Sequence, residues 1–380
     1  MLFALGGCGF LKSIAGRNTV TLEKAEIKSM SVDVRKQTKT ICPREKVQMA
    51  VFVKAALEGE TEVQSFETWQ GDEQASRNDK LDFEEFAFHS NLGTFDKSGW
   101  FTPKADVLAS AGKEFELKTV YKRRPDKFSF STNYKPDYAC ITGGGGQGQA
   151  GVVGPNGDSG TPGRSGQGGS STSPGGDGTD GQQGGNGGNG TDGGAGPDLT
   201  AYATLVKTPF YEKLIAIRIE GGDHDLLLLH PEQTFSLSSR GGAGGPGGRG
   251  GSGGPGGSGA SGNPGGRGGN GAQGGNGGSG GNGGPGGKLR LVFDSRFPEL
   301  KDKVSLDVSG GPGGPGGEAG SAGPAGGQGY ALGGPEGQKG NPGQQGQAGT
   351  AGSNGPNGSS AAEAGDAGAK FAGLPDITVL

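Results

Sequence analysis

Apolar and polar residues alternate with a period of two over TVTLEKAEIKSMSVDVR (residues 19–35), VQMAVFVKAAL (47–57) and EFELKTVYK (114–122). That period sends successive side chains to opposite faces of a strand. Helical spacing is scarce between residues 19 and 140, so this stretch predicts a β-sandwich domain. The signal returns in pieces further on. LTAYATLVKTPF (199–210), KLIAIRIEGG (213–222) and DLLLLHPEQTFSL (225–237) predict three strands. KLRLVFDSRF (288–297) and KVSLDVSGG (303–311) predict two more, and GLPDITVL (373–380) a closing strand.

Between these pieces the hydrophobic pattern gives way to a rhythm of three. Gly occupies Gly241, Gly244, Gly247, Gly250, Gly253, Gly256, Gly259, Gly262, Gly265, Gly268, Gly271, Gly274, Gly277, Gly280, Gly283 and Gly286 without a break. The position after each is also Gly in thirteen of the sixteen triplets, and the third carries Ala, Pro, Arg, Ser, Asn, Gln or Lys. Flanking runs keep the period as Gly-X-X, from Gly145 to Gly196 with one exception at Thr172, and from Gly311 to Gly358 with a slip at Tyr330–Leu332.

A floppy linker needs glycine but no rhythm. Three residues per turn is the polyproline II helix, which has no internal hydrogen bonds. Its buried N–H and C=O groups therefore need partners on neighbouring chains. A face laid against another backbone must be Gly, because a Cβ would hold the two apart. Two Gly faces describe an inner helix and one Gly face a peripheral one, which places 241–287 inside and the flanking runs outside. Straight, the central run would extend roughly 145 Å at about 3.1 Å per residue. A compact chain of this length has a radius of gyration of about 21 Å. The run must therefore fold back or form a stalk, and Asn263-Pro264 is the natural reversal.

The predicted fold class is mainly β plus polyglycine II. It comprises a remnant of a signal and linker (1–18), an N-terminal β-sandwich (19–140), and a bundle of left-handed polyproline II-type helices (141–380). Strands interleave with the bundle at 199–239, 288–308 and 373–380. Two alternatives stand beside it. A collagen-like trimer needs Gly once per triplet and Pro elsewhere, yet the central run holds four prolines. Disorder follows if nothing offsets the entropy of ordering glycine.

Composition narrows the classes. Gly accounts for 89 of 380 residues and hydrophobic residues for 29%, core material for about half the chain. A net charge of -4 gives no basic excess for nucleic acid and no acidic tail for a polycation. Of three cysteines, Cys8 lies in LGGC, where small residues precede a cysteine as in a bacterial lipobox. Cys42 and Cys140 would then form an even pair in an oxidising compartment, a natural disulfide. There is no run of about 20 apolar residues of the kind that spans a membrane.

CPREK (42–46), Trp69 and the closing YAC (138–140) resemble an immunoglobulin-like sandwich. Triplets such as GGPGGRGGSGGPGG are similar to the bundles of an arthropod antifreeze protein and of bacteriophage adhesin tips. The whole layout resembles glycine-rich, collagen-like surface lipoproteins of Gram-negative bacteria. These resemblances imply an exported, non-catalytic structural or adhesive protein at the cell surface or outer membrane, or extracellular. It would be anchored to the membrane if Cys8 is acylated. Its partner would be a protein or glycan surface ligand or another copy of itself, with no nucleic acid and no cofactor.

Candidate chemistry is sparse. Asp223, His224 and Asp225 sit together, but with no nearby third ligand type the segment reads as a polar turn rather than a metal site. His89 and His230 stand apart from it. No nucleophile elbow, phosphate loop or zinc-protease helix occurs, and an enzyme hidden in the β domain is the weaker alternative. Asp158, Asp177, Asp180 and Asp192 lack the order of the calcium nonapeptide. Third positions of the central run include two Arg, four Pro and no Thr, which argues against an ice-binding face. The reversal loops supply the candidate contacts: Ser171, Thr172, Ser173, Asn263, Tyr330 and Leu332.

Overall fold

The computed structural model describes residues 19–34, 39–68, 80–221 and 225–380. The chain is mainly β. Its first part contains β1 (Thr19–Val20), β2 (Glu26–Val34), β3 (Thr40–Ile41), β4 (Val47–Ala56), β5 (Gln64–Thr68), β6 (Lys80–Leu81), β7 (Phe86–Ser90), β8 (Gly93–Phe95), β9 (Trp100–Pro103), β10 (Phe115–Tyr121) and β11 (Ser129–Pro136). One sheet runs β1-β6-β5-β4-β9-β8 with β2 also on β4, and the other runs β3-β11-β10-β7.

The alternation read from the sequence explains how they pack. Met30, Val51, Val53 and Phe66 from the first sheet meet Phe86 and Tyr121 from the second. Val47, Met49 and Phe101 likewise meet Phe115, Leu117 and Tyr134. Burying each such side chain contributes about 1.5–3 kcal/mol, which makes this pair of sheets a sandwich with its own core. Cys42 and Cys140 are disulfide-bonded, with Cα atoms 6.1 Å apart. They follow β3 and β11, parallel neighbours in one sheet. The bond thus ties two strand ends together, whereas the disulfide of immunoglobulin domains crosses between sheets.

The second part contains β12 (Gly143–Gln147), β13 (Leu199–Lys207), β14 (Leu214–Glu220), β15 (Asp225–Leu229), β16 (Phe235–Arg240), β17 (Lys288–Asp294), β18 (Val304–Asp307), β19 (Ser359–Gly365) and β20 (Thr378–Val379). One sheet is β12-β16-β18, parallel throughout. The other is β15-β14-β13-β17-β19, with β20 on β13. Its β13, β17 and β19 are parallel to one another. Phe235 and Leu237 of the first sheet share a core with Ala201, Ile217 and Leu291 of the second. Cys42, Val107, Tyr138 and Ile141 of the sandwich enter the same cluster, so the two parts meet through continuous apolar packing.

Two details differ from the sequence reading. The stretch 225–237 is broken at His230–Thr234, so residues 199–240 form four strands rather than three. The closing segment contributes only β20, while SSAAEAG forms β19, a seven-residue edge strand. That strand is almost wholly exposed and buries no large apolar side chain, so it carries no hydrophobic alternation; beside the backbone ladder, its Glu363 pairs with Arg290 of β17.

Six glycine runs extend from these two sheets. Run 1 (148–169) continues β12, run 3 (241–262) continues β16, and run 5 (311–329) continues β18. Run 2 (175–196) leads into β13, run 4 (265–286) into β17, and run 6 (337–358) into β19. The parallel order of each sheet carries on as a row of runs. In the first row Gly151 N donates to Ala243 O (2.7 Å) and Gly244 N to Pro312 O (2.9 Å), linking run 1 to run 3 and run 3 to run 5. In the second row Gly181 N donates to Asn270 O and Gly271 N to Asn341 O. Between rows, adjacent runs are antiparallel: Gly245 N donates to Thr191 O and Gly281 N to Gly245 O, each at 2.8 Å.

Glycine content follows from the number of neighbours. Run 3 bonds to runs 1, 2, 4 and 5, and run 4 to runs 2, 3, 5 and 6. Both are the Gly-Gly-X runs. A Cβ on Gly254 would overlap the Thr161 carbonyl of run 1, and one on Gly256 would overlap the Gly269 carbonyl of run 4. Runs 1 and 6 bond to two neighbours each and are Gly-X-X. Near the tip of run 5, Ala319, Ala322 and Ala325 stand where the base has Gly310, Gly313 and Gly316.

Gly256→Val is therefore expected to push run 4 away and disturb the Gly256 N to Pro324 O bond (2.9 Å). Each stranded group costs about 1–3 kcal/mol. Ser252→Val, whose Oγ only meets Ser321 Oγ on the outer surface, should stay within about 0.5 kcal/mol. Thermal unfolding of the full chain at two concentrations checks both. Equal melting of the two variants contradicts the packing, and a concentration-dependent midpoint would indicate a trimer.

Candidate contact tip

Runs 1 and 2, runs 3 and 4, and runs 5 and 6 are each joined at the end remote from the sheets, so three reversals lie together. The first spans Ser170–Pro174, where Ser170 N donates to Ser173 O and to Ser173 Oγ (2.9 Å). Short hydroxyl side chains suit such a turn because they bond local backbone. The second is at Asn263-Pro264, and the third at Tyr330–Pro335.

Asn263 joins them. Its N–H donates to Ser173 O (2.8 Å) and its Nδ2 to Ser171 O (2.9 Å). On the other side Gly262 N donates to Tyr330 O (3.1 Å) and Leu332 N to Gly262 O (2.8 Å). A Cβ on Gly334 would overlap Asn263 Oδ1. The six candidate contact residues, far apart in sequence, thus form one hydrogen-bonded cap. Tyr330 is 71% exposed and Leu332 44%, large apolar side chains that the fold leaves uncovered. Ser171, Thr172, Ser173 and Pro264 are exposed beside them. The joining role of Asn263 was not read from the sequence; an Asn before Pro signals a turn but not what its amide reaches.

The remaining candidates lie elsewhere. Cys8, Trp69, Asp223 and His224 fall outside the described residues. Asp225 opens β15 and pairs with Arg44 of the sandwich (2.6 Å). His89 is exposed on β7, while His230 Nε2 meets Asp137 Oδ1 (2.9 Å) where the two parts join. Among the described residues no three His, Cys, Asp or Glu side chains are grouped to hold a metal. Asp158 is exposed on run 1, and Asp177, Asp180 and Asp192 each accept from a run 4 backbone N–H.

No family model matches the chain, and no curated protein or solved structure is significantly similar to it.

The most displaced carboxyl serves the sheet. Asp294 is buried at the end of β17 and accepts from Arg296 Nε (3.0 Å), Arg296 Nη2 (2.7 Å) and Thr204 Oγ1 (2.7 Å). The Arg296 bonds lead in lowering its pKa to about 2, against the opposing effect of burial. A depressed folded-state pKa contributes stability above the ordinary carboxyl value, lost as pH falls toward 2. At about 1.4 kcal/mol per pH unit the contribution is about 2 kcal/mol. Asp294→Asn should therefore lower stability by about that amount at pH 7, and the gap to the parent should close as denaturant titrations approach pH 2. A gap independent of pH would show that the carboxylate charge contributes nothing.

Proposed function

We propose that the chain is a non-catalytic adhesive surface protein in which six polyglycine II helices form a rigid rod that presents the joined reversals. The observation that carries this reading is the convergence of the three loops on one cap with Tyr330 and Leu332 uncovered. The 21 steps from Gly148 to Gly169, at about 3.1 Å each, would place the cap about 65 Å from the sheets. Exposed aromatic and apolar side chains at the end of a stiff support are suited to contact with a surface ligand. In this reading the N-terminal sandwich is immunoglobulin-like in its two-sheet packing, though not in the position of its disulfide. A single chain supplies every strand of the array, which favours the rod over a collagen-like trimer.

The anchor belongs to the same proposal. Acylation at Cys8 would hold an exported chain on a bacterial outer membrane with the cap facing outward. No helix among the described residues is long and apolar enough to cross a membrane. One experiment covers both ends. The chain is expressed in a Gram-negative host and cell adhesion is scored on arrays of glycans and extracellular proteins. Tyr330→Ser combined with Leu332→Ser should abolish adhesion with an unchanged melting temperature. Cys8→Ser should remove fatty-acid labelling and release the protein from the envelope. Undiminished adhesion by the double variant would overturn the cap as the contact, and unchanged labelling would overturn the anchor.

A further inference from the structure

The two broad faces of the array differ. Side chains at the third triplet positions line up in transverse rows, because neighbouring runs in a row are in register. On the face of runs 1, 3 and 5 the rows include Val153–Pro246–Pro315, Ser159–Ser252–Ser321 and Pro162–Pro255–Pro324. The face of runs 2, 4 and 6 carries Gln183–Gln273–Gln344, then Asn186–Asn276–Gln347, then Asn189–Ser279–Thr350. These nine side chains are uncharged amides and hydroxyls. Charges flank these three rows, with Asp177, Asp180 and Arg267 on the cap side and Asp192, Asp198 and Lys288 on the sheet side.

The amides are also oriented. Asn276 N donates to Asn186 Oδ1 (2.8 Å), Ser279 N to Asn189 Oδ1 (2.9 Å), and Gln347 N to Asn276 Oδ1 (2.8 Å). A backbone N–H can be accepted only by the amide oxygen, so each Asn is fixed with its NH2 group turned to solvent. Three of the seven amides, on Asn186, Asn189 and Asn276, are thus oriented donors in the middle of the face. Rows would repeat about every 9 Å along each polyproline II axis, and columns about every 4.8 Å, the spacing of the parallel sheets they continue. No aromatic or long aliphatic side chain stands in the nine positions to break the flatness.

We propose that the face of runs 2, 4 and 6 binds a flat, neutral, β-linked polysaccharide lengthwise. Such a ribbon presents rows of equatorial hydroxyl and ring oxygens, which are acceptors for oriented amide donors. A charged polymer has no counterpart in the central rows, and an apolar partner would strand the amide groups at a cost. The proposal rests on the rod reading for the flatness of the face, and it uses a different surface from the cap.

The test is depletion of the full chain from solution by microcrystalline cellulose and by chitin. The parent should be retained by at least one of these polymers. Asn276→Trp, which raises a large ring from the middle of this face, should weaken retention at least tenfold. Ser252→Trp on the opposite face and Tyr330→Ser at the cap should leave it unchanged. Melting temperature is read for every variant, and Gln273→Ala, which removes one donor and adds no bulk, should weaken retention about threefold if Asn276→Trp fails to fold. No retention of a normally melting parent on either polymer overturns the proposal and leaves the rod reading standing. Equal loss from Ser252→Trp also overturns it. Loss from Tyr330→Ser alone assigns polysaccharide binding to the cap instead. A parent with no cooperative melting of the runs would count against the rod itself.

Discussion

Direct contact between backbones is the constraint on which the rest depends. Glycine N–H groups of one run reach carbonyls of the next at 2.8–3.1 Å throughout runs 3 and 4, which is possible only where no Cβ intervenes. Glycine loses more conformational freedom on ordering than any other residue, and these runs bury almost no apolar side chain to offset that loss. Hydrogen bonding in two directions from every triplet must supply it. This explains why the two runs with four neighbours spend two positions of three on Gly, and why the outermost runs need one.

The sheets make such an arrangement reachable. Side chains such as Phe235, Leu237 and Leu291 fill the space between the two sheets and give the molecule an ordinary hydrophobic core. Past Ser239 and Lys288 the large side chains stop, and bonds between rows begin at Gly287 N to Ser239 O (3.0 Å) and Gly242 N to Gly194 O (2.8 Å). Strand order and register are set where side chains can specify them and are then handed on to segments that cannot. The N-terminal sandwich supports the same foundation. Tyr211 Oη donates to Pro136 O (2.9 Å), Gln233 Nε2 donates to Ala139 O (2.8 Å), and the Cys42–Cys140 bond sits at this junction.

Much of this organisation is legible in the sequence, for identifiable reasons. Period-two alternation marks β2, β10 and the second half of β4 because one face of each is buried. Period-three glycine marks the runs because the packing is steric. Two strands give no such signal: β19 is exposed SSAAEAG, and β12 is GGGGQ, which brings no apolar side chain to its pairing with β16. Registers between runs are also hidden, since a shift by one triplet preserves every Gly. That is why neither the union of Ser171–Ser173, Asn263 and Tyr330 at one cap nor the matching of Gln183 with Gln273 and Gln344 can be read from spacing. Both follow only once the sheet order places runs 2, 4 and 6 side by side.

Amide hydrogen exchange resolved residue by residue by NMR addresses the close backbone contact directly. In run 3, first- and second-position amides such as Gly250 and Gly251 donate to other runs, to Glu318 O and Gly185 O. Third-position amides such as Ser252 have no backbone acceptor in the array. The account requires strong protection at the first two positions of each triplet in runs 3 and 4, persisting from the sheets to the cap, and fast exchange at most third positions of run 3; in run 4 most third amides donate to run 2 side chains. Exceptions are expected where a neighbouring side chain caps the third amide, as Asn156 does for Arg249. Uniformly fast exchange through residues 241–287, or protection at only one position in three, would contradict it.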